Sequence, residues 1–181
     1  MARLVIDGYG QLELNNVAFR RDGRIEAQCA PASALASAKL ENGMLLAVDN
    51  VSRTVTYATD SSLPIALHYS AEHIYDERTP GLKNWYLNGS DDFLPRLGYL
   101  AVGDKFTTNC VSYDTAFASN DVAFASALDS LATTPLYGGV SNDGSIAVGT
   151  AAPTFGPVLR AVQKTTMPDG QLGIKFQVYQ A

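Results

Sequence analysis

The chain has 181 residues, 46% hydrophobic and 17% charged, enough for one ordinary core with at most a small extension. That composition excludes a disordered chain, and no apolar run approaches the roughly 20 residues needed to span a bilayer. Thirteen basic against eighteen acidic residues give a formal net charge of -5, which argues against a phosphate-binding surface and predicts no nucleic-acid partner and no membrane partner.

Residues 1–35 predict an N-terminal β arm and linker. The N-terminus, MARLVIDGYG, has too short an apolar stretch for a secretory signal, so synthesis in the cytoplasm is expected. Leu4-Val5-Ile6 is a short apolar run, and Leu12, Leu14, Val17 and Phe19 alternate with polar or small residues. Asp22-Gly23 reads as a hairpin turn before Ile25 and Ala27. Arg20, Arg21 and Arg24, interrupted by Asp22, are the local basic cluster and would sit at that hairpin's tip. These strands carry little apolar area, so the arm is expected to pack on the main domain, a neighbouring copy or a partner. Ala30 to Lys39 is small and weakly patterned, which predicts a linker with room for one helical turn.

Residues 36–181 predict the main β domain. Met44 to Val48 is a continuous apolar strand between the turn signals Asn42-Gly43 and Asp49-Asn50. Alternating strands follow from Val51 to Tyr57 and from Leu63 to Tyr69. Residues 70–98 form a long excursion with two turn signals, Pro80-Gly81 and Asn88-Gly89. Strands resume as Tyr99 to Val102 and Phe106 to Val111. Residues 119–131 predict a helix capped by Asn120 or Asp121, with Val122, Ala125, Leu128 and Leu131 on its apolar face. After the strand Ile146 to Val148, the chain closes with a hairpin. Val158 to Thr166 leads into Pro168-Asp169-Gly170, and Leu172, Ile174, Phe176 and Val178 then alternate with Gly173, Lys175 and Gln177. Short strands with frequent turns and one helix predict a mainly β fold, an antiparallel barrel or sandwich.

Chemistry-bearing motifs are sparse. His68, His73 and Asp76 match no zinc spacing, and Asp76, Glu77, Asp91 and Asp92 read as solvated loop residues rather than a hydrolytic carboxylate pair. Cys29 and Cys110 belong to no spaced motif and are expected to be reduced thiols. Gly138, Gly139, Gly144 and Gly149 lack the lysine of a phosphate loop and read as turn and strand-end glycines. The expectation is a protein that is not an enzyme, with no catalytic residues, no cofactor and no metal. Trp85 and Tyr86, in the excursion, join Arg20, Arg21 and Arg24 as candidates for protein contact, because these residue types are enriched in interface hot spots.

Three stretches carry a resemblance: LENGMLLAVD (40–49), PRLGYLAVGDKFTTN (95–109) and GPVLRAVQKTTMPDGQLGIKFQVYQ (156–180). Their order is similar to that in the small β-rich virion proteins of tailed bacteriophages, in particular capsid decoration or cement proteins with a β-barrel or β-tulip-like domain. The resemblance spans residues 36–181. It implies a non-catalytic protein on the outer face of a capsid, bound to the major capsid protein and tying capsomers together as a homo-oligomer, a trimer favoured. Three other readings stand beside it. One is a tail, neck or fibre-attachment component. Another is a carbohydrate-binding module using Trp85, Tyr86 and Tyr99. The last is a small hydrolase using the carboxylates of the excursion.

Overall fold

The computed structural model describes residues 1–70 and 94–181, and for 86–88 the backbone. In chain order the first strands are β1 (Ala2–Arg3), β2 (Leu12–Asn16), β3 (Ile25–Glu26), β4 (Ala30–Pro31), β5 (Lys39–Glu41), β6 (Leu45–Asp49), β7 (Thr54–Tyr57) and β8 (Ile65–His68). They continue as β9 (Tyr86–Asn88), β10 (Leu97–Gly98), β11 (Lys105–Thr108), β12 (Val111–Tyr113), β13 (Tyr137–Val140), β14 (Ile146–Gly149), β15 (Val158–Thr166) and β16 (Leu172–Gln180). Helices α1 (Ala18–Asp22) and α2 (Asp121–Ala127) and the 3-10 turns Ser33–Leu35 and Leu128–Ser130 complete the described elements.

One sheet has eight strands in the order β1-β12-β14-β13-β15-β16-β11-β2, and a second has six in the order β3-β10-β8-β6-β7-β4. β5 and β9 form a small third sheet. The chain is mainly β and sandwich-like, and among the described strands no barrel closes. Pairing is antiparallel except for β12 with β14 and β4 with β7.

The closing hairpin forms where the alternation places it. β15 and β16 pair along their length, with a bulge between Ala161 and Gln163. The Gly170 amide donates to the Met167 carbonyl at 2.9 Å, and Gly170 takes φ +93, the conformation for which glycine is suited. Ile174, Phe176 and Val178 are buried, while Lys175 and Gln177 on the other face keep partial exposure. Across the ladder Phe106 pairs with Phe176, their rings 5.9 Å apart.

β6 is buried on both faces, which explains its unbroken apolar sequence. Leu45 joins the larger core with Phe106, Ile146, Leu159 and Phe176. Leu46 and Val48 join a smaller core with Leu35, Leu40, Val55 and Leu97. α2 covers part of the larger core. Its N-cap is Asn120, whose side chain accepts from the Ala123 amide at 2.9 Å. Of the expected row Leu128 is buried and Leu131 packs against the core, but Val122 is 76% exposed and Phe124 is buried in its stead. Phe124 stacks on Tyr113 with ring centres 4.6 Å apart, so aromatic contact with the sheet sets the helix's rotation.

The first 35 residues do not form a separate arm. β1 pairs with β12, β2 with β11, β3 with β10 and β4 with β7, so the segment completes both sheets. The expected hairpin at Asp22-Gly23 is absent: residues 18–22 are helical, and Gly23, at φ +70, ends the turn as a left-handed C-cap. β2 and β3 therefore lie in different sheets, with α1 bridging their edges. Nor is the stretch 30–39 a free linker, because Leu35 is fully buried in the smaller core. The sparse apolar residues of this segment (Leu4, Leu12, Phe19, Cys29) each fill a place in a core that the rest of the chain provides.

Gly138 and Gly139 lie within β13 rather than at turns. A Cβ on Gly138 would come within 2.8 Å of Ile146 and 3.1 Å of Phe176, so the strand needs glycine there for close packing.

Candidate functional site

Phe19 fixes the position of the basic cluster. Its ring is fully buried, lies 5.2 Å from the Tyr69 ring, and occupies the space that a Cβ on Gly98 would need. With Phe19 pointing inward, its neighbours Arg20 and Arg21 point to solvent, and Arg24 follows the αL turn of Gly23. All three arginines are exposed. Arg21 pairs with Asp22 at 2.8 Å, whereas Arg20 and Arg24 make no ion pair among the described residues. The Arg21 guanidinium, first through its hydrogen bond, lowers the Asp22 carboxyl below the usual range.

The fold adds residues that the sequence reading missed. Arg96 is exposed, and its amide donates to the Ser70 hydroxyl at 2.6 Å while the Tyr69 amide donates to its carbonyl. Arg96 and Arg20 both act electrostatically on Tyr69, whose hydroxyl is nevertheless pushed up by burial. Ile25 and Leu94, 39% and 44% exposed, lie in the same chain segments as these arginines. Nothing in the sequence joins Arg96 to Arg20; β3 pairing with β10 does so. Trp85 lies outside the described residues, as do His73, Asp76, Glu77, Asp91 and Asp92, and for Tyr86 only the backbone in β9 is described. Tyr99 is half-buried against the smaller core and hydrogen-bonds Asn50, so it does not stand out as a sugar platform.

A second polar group lies inside the fold, where β5, the N-terminal strand and the β11–β12 connection meet. Arg3 donates to Glu41 at 2.8 Å and approaches Asp143 at 3.8 Å and the Cys110 sulfur at 3.5 Å. Glu41 also accepts from the Gly10 amide. His68 is fully buried, and its Nδ1 donates to the Glu41 carbonyl at 2.7 Å. A carbonyl can only accept, so the ring is the Nδ1-protonated tautomer, and its Nε2 has no hydrogen-bond partner among the described residues. Burial lowers the His68 pKa to about 4 and raises that of the Cys110 thiol to about 12.

Burial and hydrogen bonding make the inner group a structural joint. A nucleophilic cysteine needs a lowered thiol pKa and access to substrate, and Cys110 has neither. Both cysteines are free and buried. Among the described residues no three His, Cys, Asp or Glu side chains gather in an arrangement that could hold a metal ion. Among the described residues no helix is long and apolar enough to cross a membrane. Comparisons with protein-family models, with curated proteins and with solved structures find no match for this chain.

Proposed function

We propose that this chain is a non-catalytic structural protein of a phage particle, one that binds the outer surface of the capsid and stabilises capsomer contacts. The observation that carries the reading is the exposed arginine surface around α1 on a chain of net charge -5, with the exposed Ile25 next to Arg24. Arginine flanked by apolar residues suits contact with another protein surface. The three stretches that resemble decoration proteins support the specific form of the reading, since they supply β5–β6, β10–β11 and the closing hairpin. Several copies bound side by side, as a trimer would present them, hold by avidity with modest area per copy.

Immunogold labelling tests this directly. Antibody against the purified chain, applied to particles of the phage that encodes it, should decorate the shell, and the chain should co-purify with those particles. Label confined to the tail or neck would move the assignment there, and particles lacking the chain would refute a virion role.

A further inference from the structure

Among the described residues, Ile25 lies on a sheet edge with no partner strand. β3 is the outermost strand of the six-stranded sheet and pairs with β10, Glu26 opposite Leu97 and Ile25 opposite Gly98. The Tyr99 amide donates to the Arg24 carbonyl at 3.0 Å, so the Arg24–Tyr99 and Glu26–Leu97 positions are the hydrogen-bonded ones and Ile25–Gly98 lies between them. In an antiparallel ladder such an intervening residue turns its N–H and C=O away from the neighbouring strand. Ile25 thus offers one donor and one acceptor outward, and no described residue bonds either of them. Its side chain is partly exposed beside them.

The charge around this edge opposes that of the chain as a whole. Among the described residues of α1 and β3, Arg20, Arg21 and Arg24 outnumber Asp22 and Glu26. Of the arginines at this edge, Arg20 and Arg24 make no ion pair among the described residues, whereas Arg21 is paired with Asp22 at 2.8 Å.

We infer that the β3 edge docks an acidic, extended segment of a partner protein; the inference rests on the binding role proposed above and names the partner's chemistry. Such a segment adds alongside β3, exchanges two main-chain hydrogen bonds with Ile25, and alternates its side chains. Carboxylates on one side meet Arg20 and Arg24, and apolar residues on the other meet Ile25. A nucleic acid fits less well, because it has no use for a strand's free N–H and C=O.

The probe is a short end-capped peptide alternating glutamate and valine, with a lysine-valine peptide and a single-stranded oligonucleotide as comparators. Each is titrated into the full chain while backbone amides are followed by NMR and hydrogen exchange. The glutamate peptide should bind, protect the Ile25 amide and weaken as salt is raised. Arg20→Glu/Arg24→Glu should weaken it about tenfold, with thermal unfolding unchanged because both side chains are exposed. No binding, equal binding of the lysine peptide, preference for the oligonucleotide, or an unprotected Ile25 amide would each overturn the inference. Failure here with gold label on the shell would remove the β3 edge and leave the virion role. The converse result would remove the virion role and leave the edge.

Discussion

Gly98→Ala tests the packing on which the arginine surface depends. A Cβ at this position would stand 2.5 Å from two carbons of the Phe19 ring and 2.6 Å from a third. The ring cannot move outward without losing its complete burial and its contact with Tyr69. Overpacking of this kind costs about 1–3 kcal/mol, whereas alanine's restriction of the unfolded chain returns about 0.4–1 kcal/mol. The first effect wins, leaving a net loss of about 1–2 kcal/mol. With a urea slope of about 2 kcal/mol per molar, the unfolding midpoint should fall by about 0.5–1 M. Gly149→Ala is the control, since a Cβ there meets nothing within 4 Å, and it should be neutral or slightly stabilising. Adding Phe19→Leu to Gly98→Ala should cost less than the two separate losses together, because the smaller side chain vacates the clash. An unchanged or raised midpoint for Gly98→Ala would refute the claim that Phe19 pins α1 against β10.

Phe176→Ala should cost about 3–5 kcal/mol in denaturant unfolding, since the ring is fully buried against Phe106; a change near zero would place the hairpin's buried face wrongly. His68 is held neutral down to about pH 4, so between about pH 6.5 and pH 4 the unfolded chain binds a proton that the native chain does not. The fold should therefore lose roughly 3 kcal/mol as pH falls through that window and nothing further from this group below it. His68→Asn should flatten this limb, and a native imidazole titrating near 6.5 by NMR would contradict its burial. Deleting residues 1–30 should abolish cooperative unfolding, because β1 to β3 and the buried Leu4, Leu12, Phe19 and Cys29 go with them. A truncated chain with an intact sharp transition would show the segment to be dispensable after all.

The elements read correctly are those whose pattern is local. The alternation from Leu172 to Val178 and the Pro168-Asp169-Gly170 turn fix a hairpin through side-chain direction and backbone freedom alone. Met44 to Val48 announces a strand covered on both faces, and Asn120 announces a helix start through its own side chain. The failures are equally specific. Asp22-Gly23 suits a hairpin or a helix C-cap, and Phe19 finding its slot over Gly98 decides for the helix. Val122 and Phe124 both suit a helix's apolar face, and stacking on Tyr113 selects Phe124.

The candidate surface was half legible. Arg20, Arg21 and Arg24 stand together in the sequence and are exposed together in the fold. Arg96 and Leu94 join them only because β10 lies beside β3, a pairing across some seventy residues that leaves no trace in either segment's composition. The same holds for the joint of Arg3, Glu41, His68 and Cys110, whose members are ordinary residues until three sheets bring them within hydrogen-bonding reach.

Sequence by itself therefore determined that this is a β protein closed by a C-terminal hairpin, because strand alternation and turn chemistry act over a few neighbouring residues. Tertiary structure alone decided that the first 35 residues belong to the body, since each isolated apolar side chain there is stabilised only by a cavity that distant strands supply.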